Sequence, residues 1–331
     1  MASDTTMTGT VSESPIRLSG PYGDWRDELF SQGYVVIKNA IPKERAQYYR
    51  QKALDWFQTF GALDYNDQST WTAENLPAQT KNNILNKYCV SHERFMWEAR
   101  MEPNVLEAFA KIWGTDELLV SFDGMNVTLP SRDKPAPKPW PHVDQSPLRR
   151  GLHCVQGIIN LSPAGPEDGS LMVLPKSNTL IEKFFDTQTD PFTWEKKDWR
   201  SFDEAEMEWF MGSTHRLKPV KVLAEPGDLI LWDSRTIHWG GEPSTNSDTI
   251  RTVIYVSYSP AKLASEEALR EKEKAFESYR ATTHWAHDNV ILRDPVVYLP
   301  DGTIDPRNRV RPLEEAEHTD KLLKLAGIKS Y

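Results

Sequence analysis

Apolar residues recur along the chain with two different spacings, and the change falls near residue 115. Before this point the spacing is mostly helical. It predicts a long amphipathic helix that packs one side on a core. The apolar residues of that side are Ala46, Tyr49, Ala53, Trp56, Phe57 and Phe60. The same pattern predicts a short helix over 24–31 and another helix through Leu106, Phe109, Ala110 and Trp113. A β-branched run over 34–38 predicts an early strand.

Short β-branched and apolar runs separated by turn residues dominate the middle of the chain. They cover 118–122, 125–129, 152–161, 171–174, 219–224, 228–232 and 250–258. Several short strands with turn signals between them predict a β-sandwich or barrel. A long charged segment with scattered aromatic residues, 179–216, predicts a helical insertion. A helical pattern returns over 266–279.

Length and composition narrow the class of protein. The 331 residues suffice for one large domain or two modest ones. The net charge of −9 argues against a nucleic-acid partner, because phosphates require a basic surface.

The two cysteines, Cys89 and Cys154, favour a reducing compartment over a disulfide framework. Without a signal-like N-terminus or an apolar run of roughly 20 residues, we expect a cytoplasmic protein with no membrane partner. The Ser/Thr-rich residues 1–20 predict a disordered or loosely attached tail.

Candidate chemistry concentrates in two short segments. His142 and Asp144 are two residues apart, so on a strand their side chains project to the same face. His238 follows later in the segment 233–240. Two imidazoles and one carboxylate form the facial triad of non-heme Fe(II) oxygenases, which leaves coordination positions open. A structural zinc site would instead require four closed ligands. From the residues alone, three unrelated polar side chains remain an alternative.

Arg251 is the candidate for a carboxylate clamp. It opens the strand-like run 251–258, and a guanidinium can bind a carboxylate with two parallel hydrogen bonds. Burying an arginine at the start of an apolar strand is costly unless it is paired. A surface ion pair is the alternative interpretation.

These segments resemble the phytanoyl-CoA dioxygenase family of Fe(II)/2-oxoglutarate oxygenases. The resemblance covers roughly residues 24–260 in the expected order and includes the segments 30–38, 168–178 and 227–234. Two departures stand out. The segment 175–178 reads Pro-Lys-Ser-Asn instead of Pro-Gly-Ser-His, and Gly240 lies where some members carry a hydroxyl that helps to hold 2-oxoglutarate.

The resemblance implies a mainly β fold with flanking helices, the double-stranded β-helix, which is also called a jelly roll and is cupin-like. We expect one catalytic domain over 21–331, with the helical insertion at about 179–216 and C-terminal helices at about 261–331. The family pattern assigns Fe(II) to His142, Asp144 and His238, and the co-substrate 2-oxoglutarate to Arg251. O2 is the second co-substrate.

Further site residues follow from the same resemblance. Gln156, Asn126 and Lys87 are candidates for the inner end of 2-oxoglutarate, and their alternative is a satisfied polar side chain at a barrel edge. Candidates for substrate contact flank the iron ligands, where solvation or packing would also explain them: Arg149, Arg150, Trp140 and Trp232. His284 and His287 have a spacing that could bind a metal on a helix, but we do not predict it, because no carboxylate or cysteine completes the set.

The resemblance implies oxidation of an unactivated C–H bond with release of succinate and CO2, through hydroxylation, desaturation or ring closure. Asp144 argues against halogenation, because halogenating relatives have a small residue there. We expect a small-molecule substrate, such as an amino acid or a secondary-metabolite intermediate. A metal-dependent hydrolase or isomerase on a cupin-like barrel, and an inactive ligand-binding homologue, are the alternatives.

Overall fold

A computed structural model describes residues 10–79, 82–130, 138–299 and 301–331. Within these residues the helices are α1 Trp25–Gln32, α2 Lys43–Gln58, α3 Arg94–Arg100, α4 Pro103–Trp113, α5 Ser177–Gln188, α6 Glu204–Met211, α7 Glu266–Glu277 and α8 Asp320–Ala326. The strands are β1 Tyr34–Ile37, β2 Ile84–Leu85, β3 Leu118–Val120, β4 Met125–Thr128, β5 His142–Val143, β6 Val155–Asn160, β7 Ser170–Val173, β8 Arg200–Ser201, β9 Val220–Lys221, β10 Leu229–Asp233, β11 His238–Gly241 and β12 Arg251–Pro260.

Two antiparallel sheets form the body of the protein. The larger sheet has the order β1-β10-β6-β12-β4-β2, and β3 also pairs with β12. The smaller sheet has the order β8-β5-β11-β7-β9. Because the chain crosses between the sheets with antiparallel pairing, the arrangement is the expected jelly roll, the double-stranded β-helix.

Strand alternation divides the apolar residues into three packed clusters. Ile158, Ile230 and Val253 of the larger sheet face Leu171 and Val173 of the smaller sheet, and these residues form the core between the sheets. The opposite face of the larger sheet packs on α2 and α4. The outer face of the smaller sheet packs on α5 and α6.

Glycine makes the turn before β10. Gly227 has a φ of +96°, a region that side chains rarely adopt, and an added Cβ would lie 2.4 Å from the carbonyl oxygen of Ile41. The turn directs β10 between β1 and β6, and the chain after β10 leads to His238.

The insertion and the C-terminal region differ in part from expectation. Residues 179–216 do contain helical structure, but α5 and α6 cover the outer face of the smaller sheet, and β8 adds an edge strand to it. The predicted C-terminal helices are α7 and α8, whereas most of the chain between them is irregular. Pro295, Pro306 and Pro312 interrupt that stretch, since proline removes a backbone donor.

The expected disordered tail is attached along part of its length. Ser12 pairs with Arg149 in a parallel bridge, and the Ser14 hydroxyl donates to the carbonyl of Leu152. These contacts explain why the segment follows the protein surface despite its polar composition. Residues 1–9 of the predicted tail lie outside the described residues. No helix of the described part of the chain is long and apolar enough to cross a membrane.

Candidate active site

The two histidines lie opposite each other on neighbouring strands. His142 on β5 is paired with His238 on β11, and their ring centroids are 4.2 Å apart. Directly opposed residues of an antiparallel pair face the same side. The strand register therefore places both imidazoles on the inner face of the smaller sheet.

Asp144 follows the end of β5 and completes the group. Its Oδ2 lies 3.2 Å from Nε2 of His238 and 3.7 Å from Nε2 of His142. One ligand atom from each of the three residues lies within 4.8 Å of the others. The Asp144 amide donates to the carbonyl of Ser234, which ties the ligand turn to the segment before His238.

Backbone carbonyls orient both imidazole rings. Nδ1 of His238 is 2.9 Å from the carbonyl oxygen of Thr236, and Nδ1 of His142 is 3.2 Å from that of Trp140. These contacts at Nδ1 leave Nε2 of each ring facing Asp144, where it can donate to the carboxylate without metal and would bind a metal once that proton is released. The Trp140 ring stacks on His142 at a centroid distance of 4.4 Å.

The electrostatics favour an ionised carboxylate. Burial opposes ionisation of Asp144, but attraction to His142 and to His284, together with hydrogen bonds from His142 and His238, outweighs burial and holds its pKa well below the usual value. Burial, assisted by repulsion from His142, lowers the pKa of His238. A carboxylate beside a neutral imidazole is the protonation state that binds a divalent metal.

Gln156 contacts Asp144. The side chain lies on β6, and its Nε2 donates a hydrogen bond of 2.9 Å to Oδ2 of Asp144. The residue also lines the cavity, and its contact with 2-oxoglutarate stays a prediction. Its observed contact, however, is with a candidate metal ligand, which gives it an orienting position.

The three residues open into a cavity of about 710 Å³ between the ends of the sheets. This volume is typical of sites for small molecules. Indole rings form much of its apolar wall: Trp140, Trp199, Trp232, Trp239 and Trp285. The indole N–H of Trp232 is buried and has no partner among the described residues. Trp140 and Trp232 thus lie where the sequence predicted them.

Arg251 points into this cavity from the start of β12, where it is paired with Thr128 of β4. Within the described residues, its guanidinium has no ion-pair or hydrogen-bond partner. Gly169 makes room for it, because an added Cβ there would lie 3.1 Å from Cδ of Arg251. An unpaired guanidinium in a cavity is suited to an anionic ligand. Gly169 belongs to the Asp-Gly turn of segment 168–178, but no sequence pattern indicated that it makes room for Arg251.

Of the other two residues predicted to hold the co-substrate, one lines the cavity and the other does not. Asn126 is buried on β4 and lines the cavity, where its amide donates to the carbonyl of Asn82 and its oxygen accepts from Thr128. Lys87 lies away from the cavity lining and donates to the carbonyls of Asp294 and Val296. The position predicted for Lys87 is therefore wrong, because these carbonyls hold its ammonium against the C-terminal segment.

Arg149 and Arg150 are also placed away from the cavity lining. Arg149 binds Asp198 through two hydrogen bonds of 2.8 and 2.9 Å and bonds to Asp288 at 2.8 Å. Arg150 pairs with Asp186 at 2.6 Å. Both guanidinium groups are occupied by carboxylates of the protein, so the structure does not support the predicted contact with substrate.

Sequence reasoning missed the contribution of the C-terminal loop, residues 281–293. His284, Trp285 and Asn289 of this loop line the cavity, as does Asp123 from the turn between β3 and β4. His284 and His287 attracted attention through their spacing, but the described metal-type cluster consists of His142, Asp144 and His238. A loop with no helical or strand pattern carries little sequence signal of its position.

The fold and the site together define a jelly-roll protein with a two-histidine, one-carboxylate group at the base of a cavity. The model of the phytanoyl-CoA dioxygenase (PhyH) family matches residues 30–253. The chain belongs to this family, as its sequence resemblance indicated.

Other proteins are similar to this chain in sequence or in fold. The chain is 42% identical over 272 residues to Ava biosynthesis cluster protein O of Aspergillus versicolor, a match that covers 80% of this chain and 87% of that protein. The fold is similar to the crystal structure of GlcNAc Inducible Gene 2 of Candida albicans, with a TM-score of 0.55 and 12% identity over 92% of this chain and 76% of that one. A hypothetical protein of Escherichia coli, JW0805, has a TM-score of 0.53 and 16% identity over 80% of this chain and 75% of its own.

Proposed function

We propose that the protein is an Fe(II)/2-oxoglutarate-dependent dioxygenase that oxidises an unactivated C–H bond of a small-molecule metabolite. The observation that carries the proposal is the presence, in one cavity, of the His142–Asp144–His238 group and the guanidinium of Arg251, which has no partner among the described residues. Membership of a family of oxygenases supports the class of reaction.

The residues present fit the metal. Two neutral imidazole nitrogens and one carboxylate oxygen suit Fe(II), and His142, Asp144 and His238 would hold it while leaving coordination positions open. The side of the group that faces the cavity is free for further ligands. Arg251 supplies a fork that matches the far carboxylate of 2-oxoglutarate. Iron with 2-oxoglutarate would supply the oxidising equivalents from O2, with release of succinate and CO2.

The chain's own groups contribute orientation and exclusion of water. Carbonyls of Trp140 and Thr236 orient the two imidazoles, and Gln156 orients the Asp144 carboxylate. The indole rings of the wall would hold the body of the substrate beside the metal position and keep bulk water away from it. A substrate fixed in this way presents one C–H bond to the reactive centre.

Two features support a metabolite as substrate and a single catalytic domain. The similar Ava protein is named for a biosynthesis cluster, which favours a secondary-metabolite intermediate. The C-terminal loop lines the same cavity as the metal-binding group, so we propose that residues 21–331 act as one domain. The expected cytoplasmic location remains a proposal from the cysteine content.

The test requires no substrate. Fe(II) and then 2-oxoglutarate are added anaerobically to the purified chain, and the visible spectrum is recorded. A charge-transfer band that requires both additions is expected. His142→Ala should lose the band through loss of metal, and Arg251→Ala should require more 2-oxoglutarate to reach it. Arg293→Ala is the matched control, because it removes another guanidinium from the rim of the same cavity.

A protein that binds the metal but gives no band with 2-oxoglutarate would contradict the proposal. That result would favour the metal-dependent hydrolase or isomerase instead. Loss of metal binding in His142→Ala without any effect on the biological role of the protein would favour a ligand-binding homologue.

A further inference from the structure

The wall formed by the C-terminal loop contains polar atoms that nothing in the proposed chemistry uses. The carboxylate of Asp123 lines the cavity, and it accepts a hydrogen bond of 2.7 Å at Oδ1 from the amide of the next residue, Gly124. Within the described chain, no cation lies within ion-pair distance of this carboxylate. Arg100 approaches Asp123 but donates to its backbone carbonyl.

The loop is fixed against the turn that carries Asp123. Phe122 and Thr282 exchange hydrogen bonds, from the Phe122 amide to the Thr282 hydroxyl at 3.0 Å and from the Thr282 amide to the Phe122 carbonyl at 2.9 Å. This exchange places Asp123 and the residues after Thr282 on the same part of the cavity wall. The two ends of the loop are joined by a bond from the Arg293 amide to the Ala281 carbonyl.

Two further polar atoms of this wall lack partners. Nε2 of His284 and the indole N–H of Trp285 are buried and have no hydrogen-bond partner among the described residues. Trp285 is 1% exposed and lines the cavity. A buried polar group without a partner costs free energy, and such groups in native proteins commonly meet a ligand or water. With the proton on Nε2 of His284, these residues give the cavity wall one acceptor, the Asp123 carboxylate, and two ring N–H donors.

We propose that Asp123, His284 and Trp285 bind the polar end of the substrate, and that this end carries a protonated amine next to an oxygen acceptor. The inference deepens the proposed function and rests on it, because it names the class of molecule that the oxygenase would take. The ammonium would donate to Asp123, and the Nε2–H of His284 and the indole N–H of Trp285 would donate to the neighbouring oxygen. The indole rings of Trp140 and Trp199 suit an apolar or aromatic body.

The charges of the site are consistent with a cationic group. Burial raises the pKa of the Asp123 carboxyl, and the attraction of His284 and Arg293 offsets this effect only in part. An ammonium that pairs with the carboxylate would compensate its desolvation. The other carboxylates of the cavity have different surroundings: Asp144 belongs to the metal-binding group, Asp198 is paired with Arg149, and Glu242 directly follows β11.

The test compares two probes that differ by one ammonium, phenylalaninamide and 3-phenylpropanamide. Binding to the full chain is measured by isothermal titration calorimetry, first free of metal and then with Fe(II) and 2-oxoglutarate under anaerobic conditions. We expect at least about tenfold tighter binding of phenylalaninamide, because a charge-assisted hydrogen bond contributes roughly 1.5–3 kcal/mol. The metal-free arm separates this result from the proposed function, which the spectrum tests.

Asp123→Asn should remove the preference for phenylalaninamide. The asparagine oxygen can still accept the hydrogen bond from the Gly124 amide, so the turn is kept. Glu242→Gln removes the same charge elsewhere in the cavity and should keep the preference. Trp285→Phe should weaken the binding of both probes equally, because it removes the N–H that both would use. Equal binding of the two probes to the unmodified chain, no binding of phenylalaninamide, or a preference that disappears in Glu242→Gln and survives in Asp123→Asn would each overturn the proposal. The comparison on the unmodified chain holds even where a variant does not fold.

Discussion

Nε2 of Gln156 donates a hydrogen bond of 2.9 Å to Oδ2 of Asp144, the same oxygen that lies 3.2 Å from Nε2 of His238. A residue predicted to hold 2-oxoglutarate thus orients a candidate metal ligand. Partners of this kind keep the ligand oxygen in position before the metal arrives.

Gln156→Met should therefore weaken Fe(II) binding by about 10- to 100-fold, with a smaller effect on the KM for 2-oxoglutarate. Metal titration followed by the anaerobic spectrum measures the first quantity, and succinate release measures the second. Gln79→Met is the control, because Gln79 donates to the carbonyl of Val127 instead of to an iron ligand. Unchanged iron affinity with a raised KM for 2-oxoglutarate would instead support the predicted contact of Gln156 with the co-substrate.

Arg251→Met should raise the KM for 2-oxoglutarate by about 30-fold or more, since the loss of charge-assisted hydrogen bonds costs roughly 2 kcal/mol. Arg251→Lys should recover part of the loss, because a lysine retains the charge without the planar fork. The measurement is succinate release at varied 2-oxoglutarate. An unchanged KM in Arg251→Met would show that the clamp lies elsewhere.

Gly169→Ala tests the packing around the clamp. The new methyl would lie 3.1 Å from Cδ of Arg251 and 3.3 Å from Cδ of Pro243, so the arginine must shift. We expect a several-fold rise in the KM for 2-oxoglutarate and little change in iron affinity. Both quantities come from the same two assays. A variant whose iron affinity falls while its KM stays constant would refute this explanation of the glycine.

Arg149→Met should destabilise the protein strongly, and Arg150→Met should not. Arg149 is paired with Asp198, whose side chain is 1% exposed, whereas the partner of Arg150, Asp186, is 54% exposed. Leaving a buried carboxylate unpaired costs about 3–5 kcal/mol, and losing an exposed pair costs about 0–1 kcal/mol. Urea unfolding measures both variants. Equal free energies of unfolding would contradict the stabilising role of the buried Arg149–Asp198 pair.

Lys272 should make stability depend on pH. Its side chain is 1% exposed and donates to the carbonyl of Val120, and burial, followed by repulsion from Arg100, lowers its pKa from 10.5 to about 7. Between these values the unfolded chain binds a proton that the folded chain does not, so stability rises as pH increases from about 7 towards 10.5.

Lys272→Met should remove this rise, which is about 1.4 kcal/mol per pH unit at most. Urea unfolding at several pH values measures it. Lys262→Met, at an exposed position, is the control and should keep the slope of the unmodified protein. A slope that survives in Lys272→Met would assign it to other groups.

Much of the architecture could be predicted from local patterns. The apolar spacing through Ala46 and Trp56 predicted α2, and the β-branched runs predicted β6, β10 and β12 within a few residues. The predictions succeeded there because each segment buries one face, and burial imposes a period of 3.6 or 2 residues. Very short elements such as β2 and β8 were missed, since two residues carry no period.

The sequence by itself determined the residue types of the metal-binding group and, through the resemblance, the family. The tertiary structure alone decided which polar side chains share the cavity. Lys87 and Arg149 lie outside the site because they bind carbonyl and carboxylate groups of distant segments. His284 and Trp285 lie in the cavity wall because the hydrogen bonds between Phe122 and Thr282 hold their loop there. Such contacts join residues far apart in the chain, and their geometry depends on strand register and loop closure, which no local pattern encodes.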